Sequence, residues 1–227
     1  MANRLKVYLE VGNHRTFAAA LDWPGWCRAG RDEATALQSL FEYGPRYARV
    51  LRPARLGFQT PNAASAFVVA ERLQGTATTD FGAPDRTPAS DAQPLDDAEL
   101  RRLQTILKAC WRAFDTAVEM ANGRTLRAGP RGGGRTLDGV AQHVLGAEKG
   151  YLSGLGGKVL QSESPQSLQE QTRQAILKIL AASAHGEIAS HGPRGGKRWP
   201  PRYFVRREAW HVLDHIWEIE DRLRPNE

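Results

Sequence analysis

Along the first part of the chain apolar and polar positions alternate one by one, and along the rest they recur at steps of three and four. Residues 4–11 (RLKVYLEV) carry the alternation of a half-buried strand. Gly12-Asn13-His14-Arg15 supplies a turn, and Thr16 to Leu21 reads as the returning strand of a hairpin. Asp22-Trp23-Pro24-Gly25 precedes a short third strand at Trp26 to Ala29. Gly30-Arg31-Asp32 then leads into a helix over Glu33 to Val50, with Asp32 as N-cap and Ala34, Leu37, Leu40 and Phe41 facing inward. Ala66 to Ala70, continued by Glu71 to Phe81, suits one or two further strands.

Between Gly82 and Leu95 three prolines and small polar residues replace any periodicity, which marks a linker or long surface connection and the expected domain boundary. Beyond it the period is helical. Leu100, Leu103, Leu107, Cys110, Phe114, Ala117 and Ala121 place one helix over about 96–121, ending near Gly123. A second runs over about 136–153, with Leu137, Val140, Val144 and Tyr151 on its stripe. A third covers about 166–184 after Pro165, burying Leu168, Ala175, Ile179 and Ala182. The fourth, Tyr203 to Leu223, has Val205, Ala209, Val212, Ile216, Ile219 and Leu223 on one narrow apolar line. The fold expected is α+β: a small sheet-plus-helix domain over 1–82, a linker at 83–95, and an antiparallel four-helix bundle over 96–227.

With 227 residues, 41% of them hydrophobic, the chain is long enough for two cores. It has no apolar run of about 18 residues and no charged-then-apolar leader, so a membrane span and secretion are not expected and the cytoplasm is. The two cysteines, Cys27 and Cys110, fall in different expected domains and read as small buried apolar residues. The net charge of +6 permits a nucleic-acid partner. Much of the excess, however, sits in two glycine-rich connectors, Arg124 to Arg135 and Arg194 to Arg198, without the interleaved aromatics that stack bases. These read as solvated loops, or second as arginines at the mouth of an anion-accepting site.

Chemistry concentrates on two helices. His211 and His215 are four residues apart on one flank of the fourth helix's stripe, so their Cβ atoms lie about 5–6 Å apart and two imidazoles can converge on one ion. His143 flanks Val144 on the second helix at about 100°, in the same relation to its stripe. Three imidazoles with a fourth position left open match the ligand count of a catalytic zinc site. Glu148 falls on the apolar stripe itself, where a carboxylate needs a partner. It is a candidate to hold a histidine N–H, to act as a base toward water, or to join the metal. Glu218 continues the histidine face as a second outer candidate, and Asp214 reads as solvated. His14, His185 and His191 lie in turns and connectors and read as exposed. Trp210, Leu213 and Trp217 read as packing residues on the opposite flank.

Two resemblances follow from these segments. FAAALDWPGWCRAGRDEATALQSL, within residues 8–40, resembles the HicB-type antitoxin N-terminal module in its Asp-x-Pro-Gly-x-x-x-x-Gly turn before a Glu- and Ala-rich helix, over about a seventh of the chain. Such modules bind protein partners or RNA. QHVLGAEKGYL and REAWHVLDHIWEIEDR resemble the DinB-like (YfiT-like) superfamily of metal-binding four-helix bundles, over about residues 95–224. That resemblance implies that His143, His211 and His215 bind a divalent metal, commonly zinc or nickel, and that Glu148 has a family counterpart. It also implies a metal-dependent thiol S-transferase, using a low-molecular-weight thiol, or a hydrolase on a small-molecule substrate, and pairing into a homodimer through helix faces. The alternatives are a metal-stabilised regulatory protein whose HicB-like part recruits a protein or RNA partner, and a purely structural bundle dimer in which the histidines are satisfied core or surface residues.

Overall fold

In a computed structural model that describes residues 4–129, 134–158 and 164–223, the chain is a mixed α+β protein, a four-stranded sheet followed by helices. Residues 130–133 of the first basic connector, and the terminal residues of both expected domains (1–3 and 224–227), lie outside the described residues. Two compact units are present: residues 1–93 with Val205–Trp210, and residues 94–204 with 211–227.

In the first unit, β1 (Leu5–Val11) and β2 (Thr16–Ala20) form the antiparallel hairpin, β3 (Cys27–Gly30) pairs with β2, and β4 (Phe67–Gln74) adds parallel to β1, in the order β3-β2-β1-β4. A parallel neighbour needs a long crossover, and α1 (Glu33–Glu42) and α2 (Gly44–Leu51) lie within it. On one sheet face Val7, Leu9, Ala18 and Ala20 are buried, with Trp26, Ala36, Leu40 and Tyr47 completing this core. On the other, Tyr8, Phe17, Ala19 and Cys27 cluster with Trp210, whose ring meets Phe17 edge-on at 6.1 Å. The hairpin strands are therefore buried on both faces rather than half-buried. Residues some 190 positions later in the chain cover the second face, which the local alternation does not reveal.

Two element expectations are corrected. The helix over Glu33 to Val50 is broken into α1 and α2, because Pro45 lacks an N–H and its ring conflicts with the carbonyl four residues back. Its buried positions are Ala36 and Leu40, with Ala34 exposed. Asp32 does cap it, accepting the Thr35 N–H at 2.8 Å while the Thr35 hydroxyl accepts the Asp32 N–H. The strand into Phe81 stops at Gln74, since Thr76 and Thr79 form a capping box that starts a short helix, α3 (Ala77–Phe81).

The stretch after α3 is tied to the first unit as far as Gln93. Fully buried Glu10 accepts the Thr79 hydroxyl at 2.5 Å and the backbone N–H groups of Asp85 and Arg86 at 2.9 Å. Buried Asp91 holds the Arg206 guanidinium at 2.9 Å, and Arg206 also donates to the carbonyls of Ala20 (2.8 Å) and Leu21 (2.7 Å).

The second unit contains α4 (Asp97–Ala121), α5 (Leu137–Leu155), α6 (Pro165–Ala184) and most of α7 (Pro201–Leu223). Asp96, Thr136 and Ser164 cap the first three through the N–H groups of Glu99, Gly139 and Ser167. The α5 C-terminus closes with Gly156 at φ +105° and the Gly157 N–H bonded back to the Leu152 carbonyl at 2.8 Å. Helix α5 packs on α6, and α4 contacts both. The seven expected apolar positions of α4 are all buried. On α6 the buried line is Thr172, Ile176 and Leu180, about 100° from the one expected. The larger Ile176 and Leu180 outweigh Ala175 and Ala182, and Thr172 satisfies its hydroxyl on the Leu168 carbonyl at 2.7 Å. Helix α7 is buried nearly all round rather than along one line. Among the described residues no helix is long and apolar enough to cross a membrane.

Candidate metal centre

The four-residue spacing on α7 stacks His211 over His215, and α5 brings His143 against them. One ligand atom from each lies within 4.8 Å of the others, and the Nε2 atoms of His143 and His211 stand 3.2 Å apart. Ring centroids are separated by 4.7 to 5.1 Å. His211 and His215 are 7% and 8% exposed, and His143 is half-buried.

The tautomers follow from the surroundings. His215 Nδ1 lies 2.8 Å from Glu218 Oε2, and a carboxylate accepts there only if Nδ1 carries the proton, which turns the Nε2 lone pair toward the cluster. Glu218 is held in turn by Arg222, whose Nη1 donates to Oε1 at 2.8 Å and whose Nε donates to the Arg127 carbonyl at 2.7 Å. The hydrogen bond from His215, opposed by partial burial, keeps Glu218 below the ordinary carboxylate range, with Arg222 adding to the effect. Burial first, then the charges of His215 and Arg135, lower His143 below its ordinary value, against the opposing charge of Glu218. A depressed imidazole is neutral at physiological pH and keeps its lone pair available.

Glu148 stands elsewhere. Five residues from His143 is about 140° around α5, and there the fully buried carboxylate takes Arg173 as its partner, Nε donating to Oε1 at 3.1 Å. Arg173 also reaches both Asp115 oxygens, at 2.9 and 2.8 Å, and lies 5.5 Å over the Trp111 ring. Burial pushes Glu148 up to about 7, with Arg173 pulling the other way. Glu148 Oε2 has no hydrogen-bond partner among the described residues. Asp115, Arg173 and Trp111 line a cleft of about 1060 Å³ bounded by α4, α5 and α6.

The structure thus brings together His143, His211 and His215 and leaves Glu148 out of the group. Glu218 is the carboxylate that orients a histidine, and its signal in the sequence is the three-residue step from His215. Arg222, four residues further, and Arg173 were not picked out by sequence reasoning. Arg222 follows from that same spacing, whereas only tertiary packing pairs Arg173 with Glu148.

Trp210, Leu213 and Trp217 are buried, and Asp214 is half-buried. His14, His185 and His191 are exposed, and His185 lies 3.1 Å from Asp97. Both cysteines are buried and neither is in a disulfide. In the first unit Tyr43 does interleave with arginines: Arg28 and Arg46 lie over its ring at 3.9 and 5.1 Å.

Comparisons with known protein families, with curated proteins and with solved structures find no match to this chain. Three nitrogen donors are gathered within 4.8 Å, one of them oriented by a carboxylate, a set that could hold a metal ion.

Proposed function

We propose that His143, His211 and His215 hold a divalent metal, zinc or nickel, within an antiparallel four-helix bundle of the DinB-like (YfiT-like) kind made by α4 to α7. In this reading the chain is a metal-dependent transferase of the thiol S-transferase type, or a hydrolase, acting on a small molecule in the cytoplasm. The observation that carries it is the convergence of three imidazoles from two helices with ligand atoms inside 4.8 Å. Such an ion, when bound, supplies Lewis acidity that brings a thiol or a water toward deprotonation at neutral pH.

The chain's own residues do the rest. His143 stays neutral and free to donate its lone pair. Glu218 fixes the His215 ring, and Arg222 fixes Glu218. Burial of His211 and His215 keeps bulk water from competing for their nitrogens. Glu148 sits about 140° around α5 from His143 and holds Arg173, so any catalytic part it takes is played from outside the three-imidazole group, by a carboxyl that burial raises to about 7. We assign it that part as a proposal, to be decided by whether Glu148→Gln lowers turnover while metal content holds.

Elemental analysis of the purified protein tests the centre, with stoichiometric metal expected in the wild type and lost in His211→Ala. A wild type without metal, or a variant that keeps it, overturns the proposal. The loaded protein is then offered a low-molecular-weight thiol with an electrophilic aryl halide, and separately an activated ester. Bound metal with no acceleration of either reaction, together with salt-dependent oligonucleotide binding by the full chain, points to the second reading: a metal-stabilised protein whose HicB-like part recruits RNA. The observation favouring it is the pair of arginines over Tyr43, within a stretch from Tyr43 to Ala70 that contains Arg46, Arg49, Arg52 and Arg55 and no acidic residue.

A further inference from the structure

The three-imidazole centre has an aromatic side. The Tyr151 ring stands edge-on to His211 with centroids 5.7 Å apart, Trp199 lies against Tyr151 at 5.2 Å, and Tyr203 meets Trp199 edge-on at 5.1 Å. Tyr151 is eight residues past His143, which is about 80° around α5 and about 12 Å along it. Tyr151 and Trp199 remain partly exposed, whereas His211 and His215 are buried. On the His215 side, buried Arg222 and its partner Glu218 occupy the surroundings.

Trp199 is fixed in place by features that have no other evident purpose. Its N–H donates to the Gly154 carbonyl at 3.0 Å, and its indole sits so close over Gly154 that a Cβ there would fall 3.1 Å from the ring. The preceding residue is clamped as well: the Arg198 N–H donates to the Ser190 carbonyl at 2.9 Å, and Arg198 Nη1 to the Ala189 carbonyl at 3.0 Å. A clamped, half-exposed indole, joined to the ligand ring of His211 through Tyr151, extends an aromatic face from the centre toward solvent.

We infer that Tyr151 and Trp199 form a specificity wall for the open position of the centre, selecting molecules that carry a flat aromatic group next to their metal-binding atoms. The inference rests on the metal reading above and goes beyond it by naming the substrate class. Aromatic contacts of this geometry discriminate by about tenfold.

Two probes with the same chelating group test it: acetohydroxamate and benzohydroxamate, titrated into the cobalt-loaded full chain and followed by the visible cobalt spectrum. Each affinity is normalised to that for free cobalt. The wild type is expected to favour benzohydroxamate by about tenfold. Trp199→Ala and Tyr151→Leu should bring the ratio close to one without moving cobalt content or acetohydroxamate affinity, and Trp199→Phe should keep most of the preference. Gly154→Ala, which shifts the indole without touching a ligand, should lower the ratio in part, and it serves if Trp199→Ala fails to fold. Equal affinities in the wild type, or a ratio unchanged in every folded variant, overturn the wall while leaving the metal centre standing. A chain that takes up no cobalt overturns both.

Discussion

Glu10 in the sheet unit and the three histidines of the helical unit are both buried polar groups, and they are treated oppositely by their surroundings. Glu10 is fully buried, yet the Thr79 hydroxyl and two backbone N–H groups satisfy it from within the chain. The histidines are crowded nitrogen to nitrogen at 3.2 Å with one carboxylate, Glu218, at the back. A polar group that the chain completes by itself is part of the architecture. The histidines instead share one hydrogen bond between His143 and His211 Nε2 atoms and leave further ring nitrogens gathered within 4.8 Å, a donor set that a metal ion could complete. Glu148 lies between the extremes, with one oxygen on Arg173 and the other without a hydrogen-bond partner among the described residues.

The sharpest way to break this contrast is Glu10→Ala. It strands the Thr79 hydroxyl and two N–H groups in a buried place and should cost roughly 3 kcal/mol by urea denaturation, whereas His143→Ala in metal-free protein should cost under about 1 kcal/mol. Equal losses would remove the distinction. Next in size, Glu218→Gln should weaken metal affinity about 10- to 100-fold, the usual effect of removing a carboxylate behind a ligating histidine. Competition with a chromogenic chelator measures it, and unchanged affinity would leave Glu218 a surface-type partner of Arg222.

The last effect is read against pH and concerns Glu148. Its carboxyl is raised from 4.5 to about 7 in the fold, so between those values the folded state holds the extra proton. Its contribution is therefore complete below about 4.5 and is lost as pH rises through 7, at no more than about 1.4 kcal/mol per pH unit. In chelator-treated protein, the stability of Glu148→Gln relative to the wild type should increase from pH 5 to pH 7.5. A flat difference would place Glu148 as an ordinary ion-paired carboxylate.

What could be read in advance divides along the same physical line. The stripe on α4 was legible because every position contributes to one buried face, and the histidine positions were legible because their spacing on α5 and α7 is local. The broken helix was also local: Pro45 forbids continuity, and its weight was missed. The α6 face was not legible, because alanines and larger residues compete for burial at neighbouring angles and only the partner helices decide. The Glu148 environment was beyond reach, since Arg173 lies 25 residues away on another helix. The 140° between Glu148 and His143, by contrast, was available from counting.

The make-up of the first unit has a consequence for how the chain is born. Phe17, Tyr8, Ala19 and Cys27 are covered by Trp210, and the carbonyls of Ala20 and Leu21 are capped by Arg206. During synthesis the hairpin emerges long before these two residues exist, so its second face stays wet until α7 has been made. Topology of that kind slows folding and prolongs exposure of apolar surface. A fragment ending before α7 should therefore be less soluble than one that includes it, as sedimentation of the two after expression would show.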